Sequence, residues 1–467
     1  MNIVKQHDRA KMPLVYIAGI KGDADGALQT RLREVLASVE PNAVAAPDAI
    51  VRDNEDFGRF DREALNQFLV DTGTDAVIWG SAGNGVLEIH TAVAPYPKVA
   101  HENRLAARFQ AKVPLPLNDR DIAVPVIQAL AAALVEIARN RPTPQYLIQH
   151  LIAALEMASD TSPDPDQNLN VLETLSRLYA LGRADDDDIT ALRRAIRLNT
   201  QLCARIGQTD PSRLARVLRV RAAIHIRLGY RTRSVEPVLD AVDTLSSAAR
   251  HSIEDLDRAR LDVLLADCKE ALGEIRSDVS LLEAARDLLN SAVPFLYQTL
   301  AIEDWARAQS RLARVNWRLC LYADDAETGR KYANDAIDAV YEALSFYNAR
   351  NFPFAWARVA KLKGEISSEL GSIPGRVETL NDGITQFREV LSVYTREHAP
   401  LEFATTSTEL AESLCTLAAQ TNDPKHLESA ESCFAAALEV YQVKADPEAD
   451  RVAARLADVR QRISAAV

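Results

Sequence analysis

The sequence predicts two structural classes in one chain: an α/β N-terminal domain over residues 1–140 and an all-α array of stacked helical hairpins over residues 146–467. Three observations carry this. A proline returns every 47 residues, at Pro353, Pro400 and Pro447. The same step relates Tyr347, Tyr394 and Tyr441, and also Leu344, Leu391 and Leu438. From Tyr146 onward no run reads as a strand, whereas apolar β-rich runs recur before it. A fixed period of this length marks stacked supersecondary units rather than one globular core.

The α/β part reads in order. PLVYIAGI (13–20) is an apolar strand, and Ala27 to Val39 has helical periodicity. AVAAPDAIV (43–51) is a second strand candidate weakened by Pro47, and Phe60 to Val70 a second helix. DAVIWG (75–80) is a buried strand. VLEIHTAV (86–93) follows it across Asn84-Gly85, two residues that accept the positive φ of a tight hairpin. VPLPLNDRD (113–121) is a connection or last edge strand, and Ile122 to Arg139 a closing helix with Asp121 as its cap. The order β-α-β-α-β-β implies a small sheet whose first strands are parallel. RPTPQ (141–145) is the linker.

In the array, breaks fall where a helix stop precedes a cap residue, as in Asp210-Pro211 and Asp423-Pro424. The step extends upstream: Ala259, Leu265, Ala266 and Leu272 precede Ala306, Leu312, Ala313 and Leu319 by 47. Between Trp305 and Trp356 it is 51, so one repeat carries four extra residues. The second helix of a unit ends in the spacing of Phe387, Leu391 and Tyr394, or Phe434, Leu438 and Tyr441, which shares one helical face. A lone hairpin cannot cover that face; stacked neighbours do.

Composition narrows the functional classes. The chain has 467 residues, net charge −12 and 48% apolar residues. The acidic balance disfavours nucleic acid and anionic lipid as partners. The five cysteines show no paired spacing and read as buried free thiols of a reducing, cytoplasmic setting. No apolar run is long enough to span a membrane.

The units resemble tetratricopeptide (TPR) repeats. Trp305-Ala306, Trp356-Ala357 and Phe403-Ala404 match the aromatic start of the first helix. Ala343 and Ala437 match small contact positions, and Pro353, Pro400 and Pro447 the closing proline. The period of 47 replaces the family's 34, so each helix is longer, and the family's Leu-Gly-x-x-Tyr signature is missing. The resemblance implies a right-handed TPR-like α-solenoid of six or seven hairpins. It also implies a non-enzymatic scaffold whose groove binds a protein or peptide segment, with the α/β domain meeting a second partner or associating with itself.

Candidate sites are few. Lys21, Gly22 and Asp23 lie where a strand gives way to a helix, a position that offers N–H groups to an anion or nucleotide. Asp23 and Asp25 oppose phosphate unless a metal intervenes, and the stronger reading of either is a plain helix cap. No phosphate-loop or dinucleotide motif accompanies them, so no cofactor is implied. Glu88 and His90 share one side of a strand, either as an acid–base pair with Asp23 or as the solvent face of an edge strand. Arg213, Arg216 and Arg219 form a basic helix segment, read either as a partner surface or as a face paired with neighbouring acids. The aromatic row is read as inter-repeat core.

Overall fold

The computed structural model describes residues 15–21, 76–83, 86–93, 108–114, isolated positions at 30 and between 127 and 135, and most of 145–466. The chain divides into two compact units, Met1–Ile253 and Glu254–Val467. The first contains a four-stranded sheet of β1 (Val15–Lys21), β2 (Ala76–Gly83), β3 (Val86–Val93) and β4 (Arg108–Pro114), in that order. β1 and β2 are parallel, and the other pairs antiparallel. The β2–β3 register closes on Gly83 against Val86, the separation of a two-residue hairpin. Val77 and Ile78 are wholly buried and alternate in β2, so both faces of the sheet are covered there.

Two expectations change. β3 lies between β2 and β4, so Glu88 and His90 are on an interior strand rather than an edge. The last strand begins at Arg108, ahead of the expected 113–121 segment. Its signal is the alternation of Phe109, Ala111 and Val113 with Arg108, Gln110 and Lys112. The expected strand at 43–51 lies outside the described residues, as do nearly all of the helices at 27–39 and 60–70.

The helices of the first unit are α1 (Gln145–Ser159), α2 (Pro165–Ala180), α3 (Asp188–Ile206), α4 (Pro211–Thr232) and α5 (Val235–Ala249). Those of the second are α6 (Asp255–Arg276), α7 (Val279–Gln298), α8 (Ile302–Leu321), α9 (Ala326–Phe346), α10 (Pro353–Gly371), α11 (Val377–Leu391), α12 (Pro400–Thr421), α13 (Lys425–Val443) and α14 (Glu448–Ala466). Consecutive helices from α2 to α13 pair as six hairpins, each with a first helix A and a second helix B. This is a TPR-like helical repeat. α14 closes the second unit by burying Val452, Leu456 and Val459 in the cluster of α11, α12 and α13.

Local chemistry sets the ends. Asp210, Asp278 and Asp325 accept N–H groups of the turns they precede, and Asp423 and Asp446 do the same. Arg233, Ser277 and Asn422 take positive φ between A and B helices. Pro353 and Pro400 open the A helices α10 and α12, and Pro447 immediately precedes α14, so these prolines begin the next unit rather than close the last. The turn at residues 299–301 has neither glycine nor proline. It is made by Leu300 at φ 56°, and the sequence gives no warning of it.

The four extra residues lie in α9 and its exit: 326–352 is four longer than 279–301, 377–399 or 425–447. An aromatic cluster fills the longer exit. Phe346 and Phe352 have centroids 4.9 Å apart, and Tyr347 meets both. Tyr347, Tyr394 and Tyr441 are all buried, as core aromatics. Tyr394 lies past the end of α11, in the turn.

One contact recurs through the hairpins. The last turn of helix A meets helix B nine residues later, with one partner small: Gly229 with Val238, Gly273 with Leu282, Cys320 with Gly329, Gly371 with Leu380 and Ala418 with Leu427. At Gly371 a Cβ would lie 2.4 Å from the Leu380 backbone nitrogen. Gly371→Ala is therefore expected to lower the urea midpoint by about 2 kcal/mol of stability, overpacking outweighing the helix propensity gained. An unchanged or raised midpoint would show that the helices separate freely there.

Candidate functional site: the charged face of the A helices

Lys21 is the last residue of β1, while Gly22 and Asp23 lie outside the described residues. Register places Lys21 beside Ser81, Ser81 beside Glu88, and Glu88 beside Lys112, one row across all four strands. The parallel row through His90 joins Trp79 and Gln110. Among the described residues no group of His, Cys, Asp and Glu is arranged to hold a metal, and no helix is long and apolar enough to cross a membrane.

Arg213 and Arg216 both approach Glu173 of α2, at 3.2 and 3.6 Å, and Arg213 also donates to Asn170 at 2.6 Å. Arg177 shares the same carboxylate. Arg219 is half-buried in α4. The first two arginines thus join one A helix to the next.

The same device dominates the second unit. On α6, Asp267, Glu270 and Glu274 occupy one face, and on α8, Arg311, Arg314 and Arg318 oppose them. Arg311 pairs with Asp267, Arg314 with Glu270 through two donors, and Arg318 with Glu274 at 2.7 Å. Arg260 reaches Asp304 at 2.9 Å, adding a fourth rung. Further along, Lys361 of α10 joins Glu409 of α12 at 2.7 Å, and Arg455 of α14 joins Glu412. Ion pairs thus join α6 to α8, α10 to α12 and α12 to α14, with neutral hydrogen bonds from Ser413 to Ser368 and from Gln420 to the Gly371 carbonyl between α10 and α12 as well.

Burial makes two rungs consequential. Glu270 is wholly buried, and burial pushes its carboxyl pKa upward against the pull of Arg314. Lys361 lies between Glu365 and Glu409. Two carboxylates share one ammonium, and Glu409 Oε2 is buried without a hydrogen-bond partner. Burial, opposed by Lys361 and reinforced by Glu365, raises the Glu409 carboxyl from 4.5 to about 7; Arg318 acts on it more weakly.

The ladder was missed in the sequence because its acids and bases are remote from each other. Its signal was present: four pairs on α6 and α8 share the offset of 44, the repeat step less one helical turn.

No protein-family model matches the sequence, and no curated protein is significantly similar to it. Among solved structures, the chain is similar to a thermophilic TPR protein of Thermus thermophilus at TM-score 0.33 and 16% identity, over 52% of this chain and 98% of that one. It is similar to Rap protein complexed with competence and sporulation factor at TM-score 0.41 and 13% identity, over 94% and 99%. It is also similar to human IFIT1, solved as a dimer with PPP-AAAA, at TM-score 0.38 and 16% identity, over 74% of each chain. At these identities the likeness concerns the fold alone.

Two outcomes test the ladder. Arg314→Ala strands a buried carboxylate and is expected to cost about 3 kcal/mol in urea unfolding; a loss below about 1 kcal/mol, in the range of exposed pairs, would show that Glu270 is solvated. For Glu409 the folded pKa exceeds the unfolded one, so the native state holds the extra proton between 4.5 and about 7. Its stabilisation is complete below 4.5 and is lost as pH rises through about 7. Glu409→Gln should flatten that part of the stability-versus-pH curve, and an unaltered slope would refute the assignment.

Proposed function

We propose that the chain is a non-enzymatic scaffold or adaptor that holds a protein or peptide segment against its A helices. The supporting observation is a contrast between positions within the repeat. Core positions keep their character from hairpin to hairpin: Ala306, Ala357 and Ala404 are all fully buried. The position filled by Asp267 on the A-helix face holds Arg314, Glu365 and Glu412 in the next three hairpins. A face whose charge changes at each step distinguishes one place along itself from another. Recognition of a segment in one register requires that property. In this reading the array winds right-handed within the second unit and its A helices line the groove.

A second reading has one observation in its favour. The row Lys21, Ser81, Glu88 and Lys112 lies at the carboxyl end of β1 and close to that of parallel β2, the side on which open α/β sheets bind ligands. The chain would then be a signalling or defence effector, with a nucleotide on the sheet and the repeats as sensor. Thermal shift with nucleotides and Mg²⁺ separates the readings. A stabilisation removed by Lys21→Ala supports the effector, and no shift at millimolar ligand eliminates it.

For the scaffold, hydrogen exchange of the full chain with its captured partner should protect α6, α8, α10 and α12 above the B helices. Raising salt from about 0.1 to 1 M should release the partner. Protection confined to B helices or strands would defeat the groove reading.

A further inference from the structure

One arginine of the A-helix face lacks the carboxylate that its repeat equivalents have. Arg213, Arg260, Arg307 and Arg358 occupy one repeat position on four successive A helices, at steps of 47, 47 and 51. The first three meet carboxylates: Arg213 meets Glu173 of the preceding A helix, Arg260 meets Asp304 of the following one, and Arg307 meets Glu303 and Asp304 of its own helix. Arg358 is exposed, and no carboxylate among the described residues pairs with it. Its counterpart by repeat arithmetic is Glu402, which stands to Arg358 as Asp304 stands to Arg260. Glu402 is exposed as well, and no ion pair joins the two. Arg358 does not stand alone as a cation, since Arg307, Arg311 and Arg358 all act on the buried Tyr347 hydroxyl, with Glu303 as the opposing charge.

From this geometry we propose that Arg358 and Glu402 form the register-setting site of the groove, binding a carboxylate and a cationic side chain of the partner segment. The proposal rests on the scaffold reading and names the partner's chemistry. The two residues belong to consecutive A helices, about 10 Å apart. An extended chain covers that span in about three residues. The segment therefore carries an acidic residue and, about three residues away, a Lys or Arg. Arg358 supplies the forked donor suited to a carboxylate. Glu402 rejects a second acid at the neighbouring place, so selection comes from repulsion as well as attraction.

Fluorescence anisotropy of the full chain tests this with three labelled peptides on one Gly/Ser backbone: Glu-x-x-Lys, Lys-x-x-Lys and Glu-x-x-Glu. Arg358→Glu should weaken Glu-x-x-Lys tenfold or more and leave Lys-x-x-Lys equal or tighter. Glu402→Lys should shift preference toward Glu-x-x-Glu by a similar factor. Both side chains are exposed, so thermal midpoints should not move; Arg358→Gln, which keeps a polar side chain, should weaken Glu-x-x-Lys less than the reversal. If the wild-type chain binds no peptide, or if charge reversal leaves the ranking unchanged, the proposal is overturned. Should exchange protection still fall on the A helices in that case, the scaffold reading survives; without that protection both fail.

Discussion

The structure depends on how closely helix A and helix B approach at their shared turn. A small residue on one helix faces a larger one nine residues later, in five successive hairpins. This holds whether the small partner is Gly371, Ala418 or, with the order inverted, Gly329 opposite Cys320. Such contact fixes the angle within each hairpin. The apolar sides of neighbouring hairpins then meet, as where Leu380, Ile384 and Phe387 of α11 share one cluster with Leu410, Leu414 and Leu417 of α12. Interiors at this density tolerate little change of volume, so within the second unit hairpin geometry is passed from one hairpin to the next.

A consequence is the row of A helices in the second unit, where charge pairs join α6 to α8 and α10 to α12. Taking a carboxylate such as Glu270 out of water costs several kcal/mol, and the fork of Arg314 offsets that cost only while its geometry holds. The ladder therefore adds little net stability, but it opposes slippage of one A helix along the next. It also leaves the A face polar and different at every step. Those are properties of a surface that reads a partner, and Arg358, whose charge acts on Tyr347 of the enlarged α9 exit, stands on it without a carboxylate among the described residues.

Much of the fold was legible in the sequence. The 47-residue step identified the hairpins, and the buried state of Tyr347, Tyr394 and Tyr441 followed from their spacing. Pro353 and Pro400 marked boundaries correctly but on the other side, because proline's fixed φ suits the first turn of a helix better than its end. Leu300 escaped notice because its positive φ is imposed by packing and not by residue type. β4 was masked by the prolines after it, although Phe109, Ala111 and Val113 alternate. The ladder was least legible: offsets of 44 acquire meaning only once adjacent A helices are known to be neighbours. For Arg213 and Arg216 the reading as a face paired with neighbouring acids is the one the structure shows, and only the partner, Glu173, required the fold.

A pair of double-mutant cycles tests the central claim most directly, that the repeat position paired across A helices at Arg260 and Asp304 is left unpaired at Arg358 and Glu402. Arg260 with Asp304 should show a coupling of about 1 kcal/mol, the upper range for partly exposed pairs. Arg358 with Glu402, the same repeat positions two hairpins on, should show a coupling near zero. Equal couplings at the two places would contradict the account.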